Sequence, residues 1–330
     1  MFFKPAILAL FTGSLLISGM LLFSAYYAAQ ILQKWDIRSG SDTQLNLERR
    51  TYLVSTIMAY ALAFQLFSFF LFIYTADNLH TFFTGAMCAA GSLNVNNWGY
   101  PAIIIKIINF LLAGIWLILN FCDNRGYDYP LIREKYTLLL WITPLILAEA
   151  VIQGGYFLGL EPEVITSCCG TQFTSEAKSI ASEVIALPVM AMEIAFFAGI
   201  IGTLGLGVFF YRTGKGGYLL GGASLLTFLI SVASLISFIS IYIYELPTHH
   251  CPFCILQQEY GYIGYPLYLT LLGGPLTGLG VGVLTPFRTI TSLKESLPAI
   301  QKRLALLSLI LYALFAAFVV YQMIFSNLRM

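Results

Sequence analysis

The chain has 330 residues, of which 58% are apolar and only 10% charged, and its formal net charge is +1. Soluble globular domains carry roughly a quarter charged residues, so the ordinary water-soluble class is excluded and lipid is the solvent for this fold. A balance of 17 basic against 16 acidic residues also removes the electrostatic basis for a nucleic-acid partner.

A spanning helix needs about 20 mostly apolar residues, because each residue rises about 1.5 Å through about 30 Å of hydrocarbon. Stretches 5–29, 51–76, 100–122, 136–158, 184–211, 218–244, 261–285 and 304–326 qualify. Backbone polar groups cannot go unpaired in lipid, so runs of this length read as helices. The expected fold is all-α: a polytopic integral membrane protein of about eight spans, forming one transmembrane domain over 1–330. The first run exceeds the roughly 7–15-residue core of a cleaved signal peptide and is read as a retained helix.

Orientation follows from the basic residues. The loops after the first, third, fifth and seventh spans carry Lys34, Arg38, Arg49, Arg50, Arg125, Arg133, Lys135, Arg212, Lys215, Arg288, Lys294, Lys302 and Arg303, whereas the other face has only Lys4, Lys178 and Arg329. This asymmetry puts both termini outside, in the periplasm or its equivalent, and the expected location is a bacterial inner membrane. Each outer loop is then distinctive: 77–99 contains His80 and Cys88, 159–183 contains Cys168 and Cys169, and 245–260 contains His249, His250, Cys251 and Cys254. Cys122, at the inner end of a span, reads as a packing residue.

Cys88 to Pro101 and Cys254 to Pro266 both close on Gly-Tyr-Pro ahead of a span. That spacing raises two parallel four-helix repeats, 1–158 and 184–330, joined by the outer loop 159–183. Chance recurrence of a tripeptide in an aromatic, Gly-rich chain accounts for it equally well.

Cys251-Pro252-Phe253-Cys254 is the motif that carries chemistry. Two intervening residues let both sulfurs reach bonding distance when the second opens a helix, whose N-terminus stabilises a nearby thiolate. The run CPFCILQQEYGYIGYPLYL resembles the signature of the DsbB family of quinone-coupled membrane thiol oxidases, through Cys251, Cys254, Ile255, Leu256 and Gln257. The resemblance implies a thiol–disulfide oxidoreductase that passes electrons from a periplasmic thiol protein through outer cysteines to a quinone, with Gln257 and Gln258 beside the ring. Gln258 departs from the pattern, since the family has an arginine there and a neutral amide stabilises a quinone anion far less well. A four-helix unit of that family, begun at the sixth span, would also need one helix more than the chain has. Such a relay needs a second pair, for which the adjacent Cys168 and Cys169 are candidates; pairing of Cys88 with one of them would instead staple two outer loops.

Two other classes compete. Outer cysteines are as readily structural disulfides of an oxidising compartment. His249, His250, Cys251, Cys254 and Cys88 also make a soft donor set for zinc or copper, in a non-catalytic protein or a subunit of a larger membrane complex. Haem is disfavoured, because CxxCH is absent and no histidine falls inside a span. Within the spans, Lys106, Glu149 and Glu193 are costly in hydrocarbon. A Lys106–Glu149 pair neutralises two of them; a quinone-headgroup pocket or a proton path lined by all three is the sharper alternative. The Gly-rich seventh span predicts close helix packing.

Overall fold

The computed structural model describes residues 4–37, 39–161, 164–166 and 187–328. These residues form long helices and short turns, with no strand among them. In chain order the helices are α1 (Pro5–Lys34), α2 (Asp42–Leu79), the short α3 (Ala89–Leu93), α4 (Gly99–Asp123), α5 (Ile132–Leu158) and α6 (Val189–Thr213). They are followed by α7 (Gly217–Ser234), α8 (Ser240–Tyr244), α9 (Gly264–Leu284) and α10 (Ser296–Phe325). A π turn at Leu235–Ile239 joins α7 to α8 as one rod. Among the described residues, eight helical segments are long and apolar enough to cross a membrane. The chain is therefore a polytopic α-helical membrane protein, and large apolar side chains such as Leu15, Tyr60, Phe67, Trp141, Met190 and Leu226 lie exposed on its spans, where lipid covers them.

Several helices outrun the apolar stretches that mark them. α2 begins at Asp42, so Arg49 and Arg50 sit in its first turns, and α10 begins at Ser296, ahead of Lys302 and Arg303. A helix satisfies its own backbone in water as in lipid, and nothing requires it to stop at the hydrocarbon edge. Helix starts follow the proline signals: Pro5 opens α1, and Pro101 and Pro266 fall in the first turns of α4 and α9, where a missing N–H leaves no intrahelical bond unmade. The α6–α7 reversal needs Gly214 and Gly216, both in the left-handed region at φ 70° and 83°.

The chain separates into two compact units. The first contains the described residues of Met1–Thr75, Asn96–Glu161 and Phe287–Leu297. Its core, built from α1, α2, α4 and α5, includes Ile17, Leu21, Val54, Met58, Trp116, Tyr136 and Leu139. The second contains the described residues of Ala76–Val95, Pro162–Pro286 and Pro298–Met330. Here Phe196 meets Phe238 and Phe315 edge-on, with ring centroids 5.7 and 5.8 Å away.

In the second unit α7 packs against α9 through small residues, as the Gly-rich span predicts. A Cβ added at Gly221 would lie 3.1 Å from the Gly282 Cα, and one at Gly278 would lie 2.7 Å from the Ser224 Cβ. Close approach of this kind maximises dispersion where lipid removes any hydrophobic drive between helices. Gly278→Ala should therefore destabilise the protein by about 1–3 kcal/mol, the usual range for overpacking. Ser224→Gly in the same chain should recover most of that loss in a detergent unfolding titration; equal stability of the single and double variants would remove the packing account.

Candidate functional site

In the second unit the segment after α2 and the segment between α8 and α9 bring three sulfurs together. The Sγ atoms of Cys88, Cys251 and Cys254 lie within 4.8 Å of one another. Those of Cys88 and Cys251 are 3.6 Å apart, a contact distance against about 2.05 Å for a bonded pair. Their residues are 0%, 0% and 5% exposed, so the cluster is closed to bulk water.

Local structure fixes each sulfur. Cys88 stands in extended conformation immediately before α3, whose first N–H, from Ala89, is capped by Asp77 Oδ1 at 3.1 Å. Gln257 Nε2 donates to the Met87 carbonyl at 2.5 Å and so ties the residue before Cys88 to the residue that follows the CPFC turn. Tyr244 donates its hydroxyl to the Cys251 carbonyl at 2.5 Å, and Tyr268 donates to the Pro252 carbonyl. Sequence reasoning singled out Gln257, for a place beside a quinone, and missed Asp77, Tyr244 and Tyr268. Asp and Tyr near helix ends carry no signal that separates a site anchor from a cap or an interfacial aromatic.

Cys254 does not open an α-helix as the spacing predicts. It begins a single 3-10 turn, Cys254–Leu256, and α9 starts only at Gly264. The intervening Gly261 and Tyr262 have positive φ, 63° and 56°, which no helix passing through them would allow. A helix dipole is therefore not what acts on Cys254. The nearer group is His249, whose Nε2 lies 3.4 Å from the Cys254 Sγ and outside the three-sulfur group. Its ring is held edge-on to Tyr244, centroids 4.5 Å apart, and Tyr244 in turn meets Tyr260 at 4.8 Å. Burial, followed by the neighbouring Cys254 sulfur, holds the Tyr260 hydroxyl above its ordinary pKa.

His250 does different work. Its Nδ1 lies 3.0 and 3.1 Å from the carbonyls of Ile236 and Ser237, in the π turn where the helical bonding pattern shifts by one residue. The imidazole N–H supplies the donor that those displaced carbonyls need, which assigns the proton to Nδ1.

Charge at this end of the unit is lopsided. Among the described residues of the second unit, Lys and Arg occur only as Arg212, Lys215, Lys302 and Arg303, at the end of α6, in the α6–α7 turn and in the first turns of α10. The loop that carries Cys251 and Cys254 leaves the far end of the α7–α8 rod, where Asn327, just beyond α10, donates to Glu245, just beyond α8, at 2.9–3.1 Å. Asp77, Glu245 and Glu259 are the acidic residues of the two cysteine-bearing segments, 76–95 and 240–263, which contain no lysine or arginine.

The other candidates separate. Gln258 is exposed, and nothing basic stands near it in sequence. Glu193, on α6, accepts from Tyr242 at 3.2 Å. Lys106 and Glu149 belong to the first unit, where they form a buried pair at 2.6 Å. Glu149 also accepts from Gln65 and Asn109, each at 2.6 Å, two partners the sequence reading did not name. Cys168 and Cys169 lie outside the described residues. Cys122 is fully buried at the end of α4, as a packing residue is. No family model, curated protein or solved structure matches this chain.

Proposed function

We propose that this protein is a membrane thiol–disulfide oxidoreductase whose exchange centre is the Cys88, Cys251 and Cys254 cluster, set on the periplasmic side of a bacterial inner membrane. The observation that carries the reading is the convergence of three buried sulfurs with a single imidazole placed against one of them. Exchange needs one thiolate at a time, and an imidazolium–thiolate pair is neutral overall. That suits a buried site whose cysteine-bearing segments, 76–95 and 240–263, contain no lysine or arginine, because isolated anions are costly there.

A quinone as the final acceptor is a separate matter of fit. Gln258, the residue that takes the place of the family's arginine, is exposed, and segments 76–95 and 240–263 contain no lysine or arginine to place a fixed positive charge beside a quinone anion. The residues present do not fit that group. Alkylation of protein as isolated, followed by mass spectrometry, should find Cys251 in a disulfide that a mild dithiol opens. Re-formation on adding quinone to membranes, faster in Gln258→Arg, would identify the acceptor; re-formation only with an oxidised thiol protein would identify a different one.

A second reading has its own observation: three buried soft donors within 4.8 Å also suit zinc or copper. Three simultaneous thiolates around a divalent ion leave one negative charge buried, and around copper(I) two, a burial that is costly without a counter-charge. Metal analysis separates the readings. One equivalent of zinc or copper in the purified protein, lost in Cys251→Ser, would replace the oxidoreductase reading with a metal centre.

A further inference from the structure

Resting on the oxidoreductase reading, the structure assigns Cys88 as the exchange partner of Cys251, and His249 as the base that frees Cys254 to resolve that bond. The sequence offers CPFC alone as the working couple and leaves Cys88, 163 residues away in the chain, to a loop staple or a metal. The geometry places it otherwise. Cys88 Sγ touches Cys251 Sγ at 3.6 Å, against about 2.05 Å for a bonded pair, and Asp77 and Gln257 hold the backbone on either side of Cys88 in that position.

The step balances without an external oxidant. With a Cys88–Cys251 disulfide in place, His249 Nε2 takes the proton of the Cys254 thiol, and the Cys254 thiolate attacks the Cys251 sulfur. The Cys251–Cys254 bond forms, the Cys88–Cys251 bond breaks, and Cys88 leaves as a thiolate that recovers the proton from the imidazolium. Two sulfurs stay oxidised throughout, so the step is an isomerisation that moves the disulfide from an inter-loop position into the CPFC turn. All three sulfurs are within 4.8 Å, so each partner is in reach without unfolding either loop. His249 Nε2 lies 3.4 Å from the Cys254 Sγ, which places the base on the attacking sulfur. His250, committed to the π-turn carbonyls, takes no part.

Trapping tests this. In Cys254→Ser, non-reducing peptide mapping of the full-length protein should recover a Cys88–Cys251 link, and in Cys88→Ser a Cys251–Cys254 link. In otherwise wild-type protein, His249→Ala should slow conversion of the first link to the second by about 10²–10⁴-fold, the range for loss of a general base, when followed by rapid acid quench and alkylation. His250→Gln, which keeps a donor for the carbonyls, should leave that rate unchanged. Recovery of Cys88 bonded to Cys168 or Cys169, or conversion at wild-type rate in His249→Ala, overturns this assignment while leaving CPFC redox activity intact. If no disulfide forms among Cys88, Cys251 and Cys254 in any variant, the oxidoreductase reading itself falls.

Discussion

Lys106→Met and Glu149→Gln, made singly, should each destabilise the protein by about 3 kcal/mol, the scale of an uncompensated charge at the centre of a membrane helix. Lys106 and Glu149 are each 2% exposed and their charged atoms are 2.6 Å apart. Removing the lysine leaves a carboxylate with two amide donors, Gln65 and Asn109, and no counter-charge. Replacing the carboxylate by an amide leaves the ammonium a neutral acceptor and the face of Phe72, 5.2 Å from its ring centroid, but takes away its counter-charge. The double variant has no charge to strand, so most of the loss should return, and a double-mutant cycle in detergent unfolding should show strong coupling. Additive losses would mean that the two groups do not depend on each other for burial.

How much of this was legible in sequence differs from site to site. Spans are legible because an apolar run of about 20 residues has one stable solution in lipid. The Lys106–Glu149 pair is legible too, since two opposite charges at similar depth on adjacent spans have few other ways to be neutralised. Their amide partners were visible as Gln65 and Asn109 inside apolar runs, but an amide in a span is as often a backbone bridge as a charge partner. The thiol cluster was legible only by half. CPFC announces itself by spacing, whereas the contact of Cys88 with Cys251 is set by how two loops fold back between helices, and no periodicity in the sequence encodes it. Roles for neighbouring histidines are likewise invisible: His249 and His250 are equivalent as text, and only the π turn beneath one of them separates them. Positive-inside counting includes Lys135 as a loop charge, yet the structure buries it completely. A basic residue at a span's edge is drawn inward when a carboxylate waits there, and the tally has no term for that.

That carboxylate is Asp123, and the pair yields the second large effect. Lys135 and Asp123 are both 0% exposed, with Nζ and Oδ2 2.5 Å apart. The ammonium also reaches Ser55 Oγ at 3.1 Å and Asn120 Oδ1 at 3.2 Å, so all three of its donors are engaged. Asp123 uses its other oxygen to accept from the Leu131 N–H at 2.8 Å, which closes the α4–α5 turn. Lys135→Met and Asp123→Asn should each cost about 3–5 kcal/mol, because each strands a buried charge. Here the double variants should diverge. Lys135→Met with Asp123→Asn keeps an acceptor for Leu131 and should recover most of the stability. Lys135→Met with Asp123→Leu removes the charge but orphans a buried backbone N–H, and should remain about 1–3 kcal/mol less stable than the first pair. Equal stability of the two double variants would show that the turn does not depend on Asp123, and that the pair is an ion pair and nothing more.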